Sequence, residues 1–167
     1  ARCFDTFNLD LMYALPGQDV AGALRDLERA IALDPVHISH YQLTLEPGTP
    51  FARHPPPRLP DDDVAWEMQL ACQARLAAAG YEQYEVSAYA RPGRRCAHNL
   101  NYWQFGDYLG IGAGAHGKLT LAAGGVVQRT VCARHPATYL AAATAAARVA
   151  ESRQVPPADL PFEFALN

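Results

Sequence analysis

No CxxC or CxxxCxxC spacing occurs anywhere in this 167-residue chain; its four cysteines, Cys3, Cys72, Cys96 and Cys132, are widely scattered. That scatter gives no thiolate set for an iron–sulfur cluster. A chain of this size with a good core does not need disulfides, so reduced thiols are expected. Lysine and arginine never gather into a run or stripe, and the net charge is −3 with a pI near 6.0. Nucleic acid is therefore excluded as the main partner. The longest apolar stretches fall far short of the ~20 residues that a membrane-spanning helix needs, and no signal-peptide pattern opens the chain. GxSxG, HExxH and P-loop patterns are missing too. A soluble, cytoplasmic protein is the expectation. There is no initiator Met, and Leu160 to Asn167 stops inside an apolar, helix-like pattern. Both ends look cut, so the chain reads as a fragment.

What is present is a core-forming sequence, with half its residues hydrophobic and 19% charged. Asn8 to Ala14 is apolar on both faces, as expected of a parallel strand covered on each side. Asp19 is a good N-cap, and Val20, Leu24, Leu27 and Ile31 recur at helical spacing behind it. Asp34-Pro35 ends that helix, and His37 to Leu45 reads as the next strand. Strand, helix and strand with short connections make a right-handed βαβ unit with parallel strands. Glu46 to Pro60 carries six prolines and reads as loop. Asp61 to Asp63 opens another helix, with Val64, Met68, Ala71, Cys72 and Leu76 as its buried stripe and Gly80 as its C-cap. Tyr84, Val86 and Ala88 alternate with polar neighbours, predicting a strand. Beyond them lie seven glycines between Gly106 and Gly125, a strand over 126–133 and an Ala-rich helix from Pro136 to Val149. The fold class is α/β with a parallel sheet or part of a barrel.

In parallel α/β folds ligands bind beyond the C-terminal strand ends. Asp10 draws attention because a carboxylate amid Leu9, Leu11 and Met12 must be paired, protonated or used on a ligand. A structural Asp accepting backbone N–H bonds explains it equally well. Cys96 to Trp103 clusters an imidazole, two amides and two aromatics after a Pro-Gly loop. His98 beside Tyr102 and Trp103 can ligate a haem iron while the rings cover the macrocycle. The alternative is a capped turn whose rings fill core. Gly112 to Gly117 is formally GxGxxG, but no Asp or Glu occurs between Asp107 and Glu151 and the following residues look extended. A dinucleotide site is rejected in favour of close backbone approach to a ligand or a neighbouring strand. Cys96-x-His98 and Cys132-x-x-His135 hold four donors for zinc, yet nothing forces the two pairs together.

Taken in order, NLDLMYALPGQ (8–18), HISHYQLTLEPGTPF (37–51), GYEQYEVSAYARPG (80–93), HNLNYW (98–103) and GDYLGIGAGAHG (106–117) resemble the radical-SAM family of oxygen-independent coproporphyrinogen III oxidase. HNxxYW and the EPGTPF loop favour its haem-chaperone branch. The resemblance implies the second half of a partial (β/α) barrel with parallel strands, over 1–95. It implies a segment closing the barrel over 96–150 and the start of a truncated C-terminal helical domain over 151–167. It also implies a [4Fe–4S] cluster and S-adenosylmethionine (SAM), with the cluster cysteines upstream of Ala1. By the same resemblance Asp10, Thr44, Ala115 and His116 lie at SAM, and His98, Asn99, Tyr102 and Trp103 at haem, with His98 a haem-iron ligand. His116 and Cys96 stay open as alternative ligands. The function implied is a haem chaperone that delivers haem to acceptor proteins. The alternatives are a coproporphyrinogen III oxidase and an inert piece, since the chain alone carries no cluster motif and is not expected to be catalytic. With Asn8–Ala14 as an exposed apolar edge, self-association is expected.

Overall fold

Asp19 and Asp61 set the two long helices, and the first unit of the protein is built around them. The computed structural model describes residues 4–121 and 125–165, in two units, Ala1–Cys96 and Ala97–Asn167. In the first, β1 (Asn8–Tyr13) leads to α1 (Val20–Ile31), β2 (His37–Gln42), α2 (Pro50–Arg53), α3 (Asp62–Ala78), β3 (Glu82–Glu85) and β4 (Ala88–Ala90). Asp19 accepts the Gly22 N–H at 2.6 Å and Asp61 the Val64 N–H at 2.9 Å, capping α1 and α3. Strands β1 and β2 pair parallel, with Asn8 opposite His37 and Tyr13 opposite Gln42. Leu27 of α1, Ile38 of β2 and Met68 and Leu76 of α3 are fully buried together. Each such side chain contributes about 1.5–3 kcal/mol by leaving water.

Four expectations are corrected here. The strand expected through Tyr84, Val86 and Ala88 is a hairpin, and the sheet order β1-β2-β4-β3 has β4 antiparallel to both neighbours. Glu85 turns the chain there: its carboxylate accepts the Ser87 N–H and Oγ–H, each at 3.0 Å. The fold is α/β, but parallel pairing is confined to β1 and β2. Nor is β1 covered on both faces. Its odd-numbered residues are wholly or partly buried and its even-numbered ones exposed, because α1 and α3 pack on one side. The proline-rich stretch also holds the short helix α2, capped by Thr49.

The second unit carries α4 (Ala97–Trp103) and an antiparallel sheet β5-β6-β7, with β5 His116–Leu121, β6 Val126–Cys132 and β7 Val149–Gln154. Helices α5 (Pro136–Ala141) and α6 (Ala145–Arg148) join β6 to β7, and α7 spans Leu160–Ala165. The single helix expected over 136–149 is thus divided. Ala142 is extended at ψ 123°, and Thr144 starts α6 afresh by accepting the Ala147 N–H at 3.2 Å. Two glycines permit tight layering. A Cβ on Gly110 would stand 2.4 Å from the His116 carbonyl oxygen, and one on Gly117 2.6 Å from Thr130 Oγ1. The close approach expected of the glycine-rich stretch is therefore made here to neighbouring strands.

Candidate functional site

Asp10 is exposed, contrary to the expectation of a buried carboxylate, because it sits on the side of β1 away from the helices. It ends a directional hydrogen-bond chain. The Cys96 N–H donates to Tyr84 Oη at 3.1 Å, and Tyr84 Oη is hydrogen-bonded to His37 Nε2 at 2.5 Å. His37 Nδ1–H then donates to Asn8 Oδ1 at 2.6 Å, and Asn8 Nδ2 to Asp10 Oδ1 at 2.7 Å. This order places a proton on Nδ1 of the buried His37. Sequence reasoning missed the network, whose bonded neighbours lie up to 47 residues apart. Beside it lies a cavity of about 330 Å³ lined by Asn8, His37, Arg95 and Cys96.

Thr44 lies past the end of β2, exposed, donating to Glu46 Oε1 at 3.1 Å. It lines a cleft with Leu43, Leu59 and Pro60, whereas Asp10 lines a different groove with Leu9, Leu11 and Leu33. The structure does not bring these two residues into one pocket. His40, stacked on Tyr13 at 4.6 Å, is buried, and burial pushes its pKa down to about 4. Burial likewise pushes the Cys72 thiol up to about 11, which leaves it inert.

In the second unit His98, Asn99, Tyr102 and Trp103 all lie on α4, with His98 and Tyr102 one turn apart. Tyr102 and Trp103 keep 39% and 38% of their surface exposed, enough to offer flat apolar area. The Tyr102 ring meets Tyr108 edge to face at 4.8 Å. The turn after α4 is held by Lys118, which sequence reasoning also missed. Lys118 is fully buried on β5; its Nζ donates to the Phe105 carbonyl at 2.7 Å and to Asp107 Oδ1 at 3.0 Å, and lies 3.8 Å from the Phe105 ring centroid. The Asp107 carboxyl is held below its usual range by the Thr120 N–H first, then by Thr120 Oγ1 and Lys118. Ala115 gives its carbonyl to the Cys132 N–H at 2.8 Å, and His116 starts β5 opposite Val131.

No family model matches the chain. The haem chaperone HemW of Escherichia coli (strain K12) is 53% identical to it over 163 residues, which cover 97% of this chain and 41% of the relative. The chain is homologous to HemW. The HemW of Haemophilus influenzae is 52% identical over 162 residues, again 97% of this chain and 41% of the relative. The chain thus spans about two fifths of the length of these HemW proteins. Among solved structures, the coproporphyrinogen III oxidase HemN of Escherichia coli, a radical-SAM enzyme, superposes with a TM-score of 0.76. That match covers 98% of this chain and 40% of HemN at 17% identity, a likeness of fold.

The groups that the radical-SAM fold implies fit this chain unequally. Among the described residues no three His, Cys, Asp or Glu side chains gather to hold a metal. SAM has an exposed carboxylate at Asp10 to meet, but the Thr44 cleft is separate. For haem, α4 supplies an imidazole and two partly exposed rings on one short helix. Among the described residues no helix is long and apolar enough to cross a membrane.

Proposed function

We propose that this chain is the later part of a cytoplasmic haem chaperone that binds haem and SAM and hands haem to acceptor proteins. The observation that carries the reading is the 53% identity to the haem chaperone HemW over 97% of the chain. On this reading residues 1–95 form the later half of a barrel, 96–150 close it and 151–167 begin a further domain. Bound haem would supply an iron that an imidazole can ligate. His98 holds the iron through a ring nitrogen, while Tyr102 and Trp103 cover part of the macrocycle and Asn99 donates to its periphery. Lys118 keeps the turn after α4 in place through the Phe105 carbonyl, which makes it a positioning residue. Asp10 accepts a hydroxyl or amine of SAM, oriented by the chain running from Tyr84 through His37 and Asn8.

Hemin titration of the chain and of His98→Ala, followed by Soret absorbance, tests the reading. A saturable one-to-one shift that the variant loses is expected. Absent binding, or binding unchanged in the variant, returns His98 to a structural role and favours a coproporphyrinogen III oxidase or an inert piece. Because no cluster ligands gather among the described residues, the chain alone is proposed to be catalytically silent. Formation of 5′-deoxyadenosine from SAM under strong reductant would overturn that.

A further inference from the structure

Arg148 closes α6 with a partly buried side chain. Its Nε is buried without a hydrogen-bond partner. Its guanidinium carbon stands 5.3 Å from the Tyr139 ring centroid, a contact that gives no hydrogen bond. No salt bridge reaches it among the described residues. The sequence offers no candidate nearby, since residues 108–150 contain neither Asp nor Glu. Burying the Nε–H without an acceptor is costly, roughly 1–3 kcal/mol for the unmade bond. A protein that keeps such a group partly buried gains when an anion arrives.

The surroundings define what kind of anion. Arg148 lines a cavity of about 400 Å³ together with Leu109, Ile111, Leu119, Tyr139 and Val149. That size suits a small ligand. The walls are pre-formed by the backbone. Tyr108 and Lys118 exchange N–H to carbonyl bonds, both at 2.9 Å, and the Gly112 N–H donates to Tyr139 Oη at 3.1 Å. Gly112, at φ +119°, adopts a backbone that an L side chain would strain. Leu109 and Ile111 remain 72% and 82% exposed, leaving apolar surface at the cavity uncovered.

We infer that this cavity binds a small, flat apolar molecule carrying one carboxylate, with the carboxylate on Arg148 and the apolar body against Leu109, Ile111 and Tyr139. Among the described residues Arg148 is the one cation that lines the cavity, which selects a single anionic group. The guanidinium fork accommodates a carboxylate in two parallel N–H to oxygen bonds. The inference stands apart from the haem reading, since none of the residues proposed to hold haem lines this cavity.

The probe is 2-naphthoate, titrated into the 167-residue chain at neutral pH, with 2-naphthamide as the matched uncharged ligand. Naphthoate is expected to saturate one site, and the amide to bind at least about tenfold more weakly, because only the acid makes charge-assisted bonds. Arg148→Gln should weaken naphthoate about tenfold and leave the amide unchanged, while Arg148→Lys keeps part of the preference. Unchanged amide affinity also reports that the variant's cavity is intact. Should Arg148→Gln fail to fold, the acid-against-amide contrast in the unaltered chain decides. Equal affinity for acid and amide, no saturable binding, or naphthoate binding unaffected by Arg148→Gln overturns the assignment.

Discussion

The two units bury different chemistry. In the first, Leu27, Ile38, Met68 and Leu76 form an apolar cluster between two capped helices and a sheet. In the second, the largest fully buried side chain is Lys118, and α7 is fixed by Glu163, which accepts from Arg129 Nε and Arg153 Nη2, both at 2.8 Å. Apolar burial is indifferent to pH and salt and tolerates small shifts in geometry. A buried ammonium and a shared carboxylate depend on charge state and on distance. The first unit should therefore answer mainly to lost volume and the second mainly to lost charge.

The chain's two tryptophans separate the answers, because Trp66 lies in the first unit and Trp103 in the second. With Trp103→Phe, urea unfolding followed by Trp66 reports the first unit; with Trp66→Phe it reports the second. The largest expected effect is from Leu76→Ala, about 2–5 kcal/mol off the Trp66 transition, because α3 and the sheet cannot fully close the cavity. If the Trp103 transition moves as far, the contrast fails.

The first unit nevertheless carries a buried imidazole that titrates. Buried His40 stays neutral to about pH 4, while in the unfolded chain it protonates near its ordinary 6.5. Its contribution is present above pH 6.5 and lost progressively down to about 4, at most on the order of 3 kcal/mol. His40→Phe should flatten the Trp66 stability profile across that window. A slope that survives the substitution removes His40 as the cause.

Lys118→Ala comes next. It strips the Phe105 carbonyl of a donor and opens space beneath the turn after α4, at about 2–3 kcal/mol in the Trp103 transition. Glu163→Gln is the smallest, about 1 kcal/mol. Hydrogen bonds from Arg153, and then from Arg129, hold the Glu163 carboxyl below its usual range. Its stabilisation is thus complete above the ordinary carboxylate pKa and lost as pH falls through the depressed value. The variant should lose that acid limb. An acid limb unchanged by the substitution would assign it elsewhere, with Asp107 next to examine.

The sequence was most legible where local signals agreed with packing. Asp19 and Asp61 precede apolar residues at helical spacing, so α1, α3 and the parallel pairing of β1 with β2 could be read directly. The hairpin at Val86-Ser87 was hidden because its turn rests on a carboxylate bond from Glu85 rather than on glycine or asparagine. Strand β7 was hidden because all of it but Val149 is exposed and it follows an alanine-rich stretch that signals helix. The exposure of Asp10 depended on which face the helices cover, which its flanking leucines could not reveal. Arg148 and Lys118 were invisible as site residues. The first matters for partners it lacks, and the second for partners supplied by the turn eleven to thirteen positions earlier.

Lys118 is also the only lysine in the chain. Its side-chain amine has no exposed surface, and three acceptors surround it. An acylating reagent that seeks lysine therefore finds none to modify until the strand comes away from the turn that follows α4. The rate at which acid anhydride or activated ester reaches this side-chain amine becomes a clock for local opening of the second unit, readable as acylation of the peptide that carries Lys118. Anything that tightens the unit should slow that clock without changing the chemistry of the reagent.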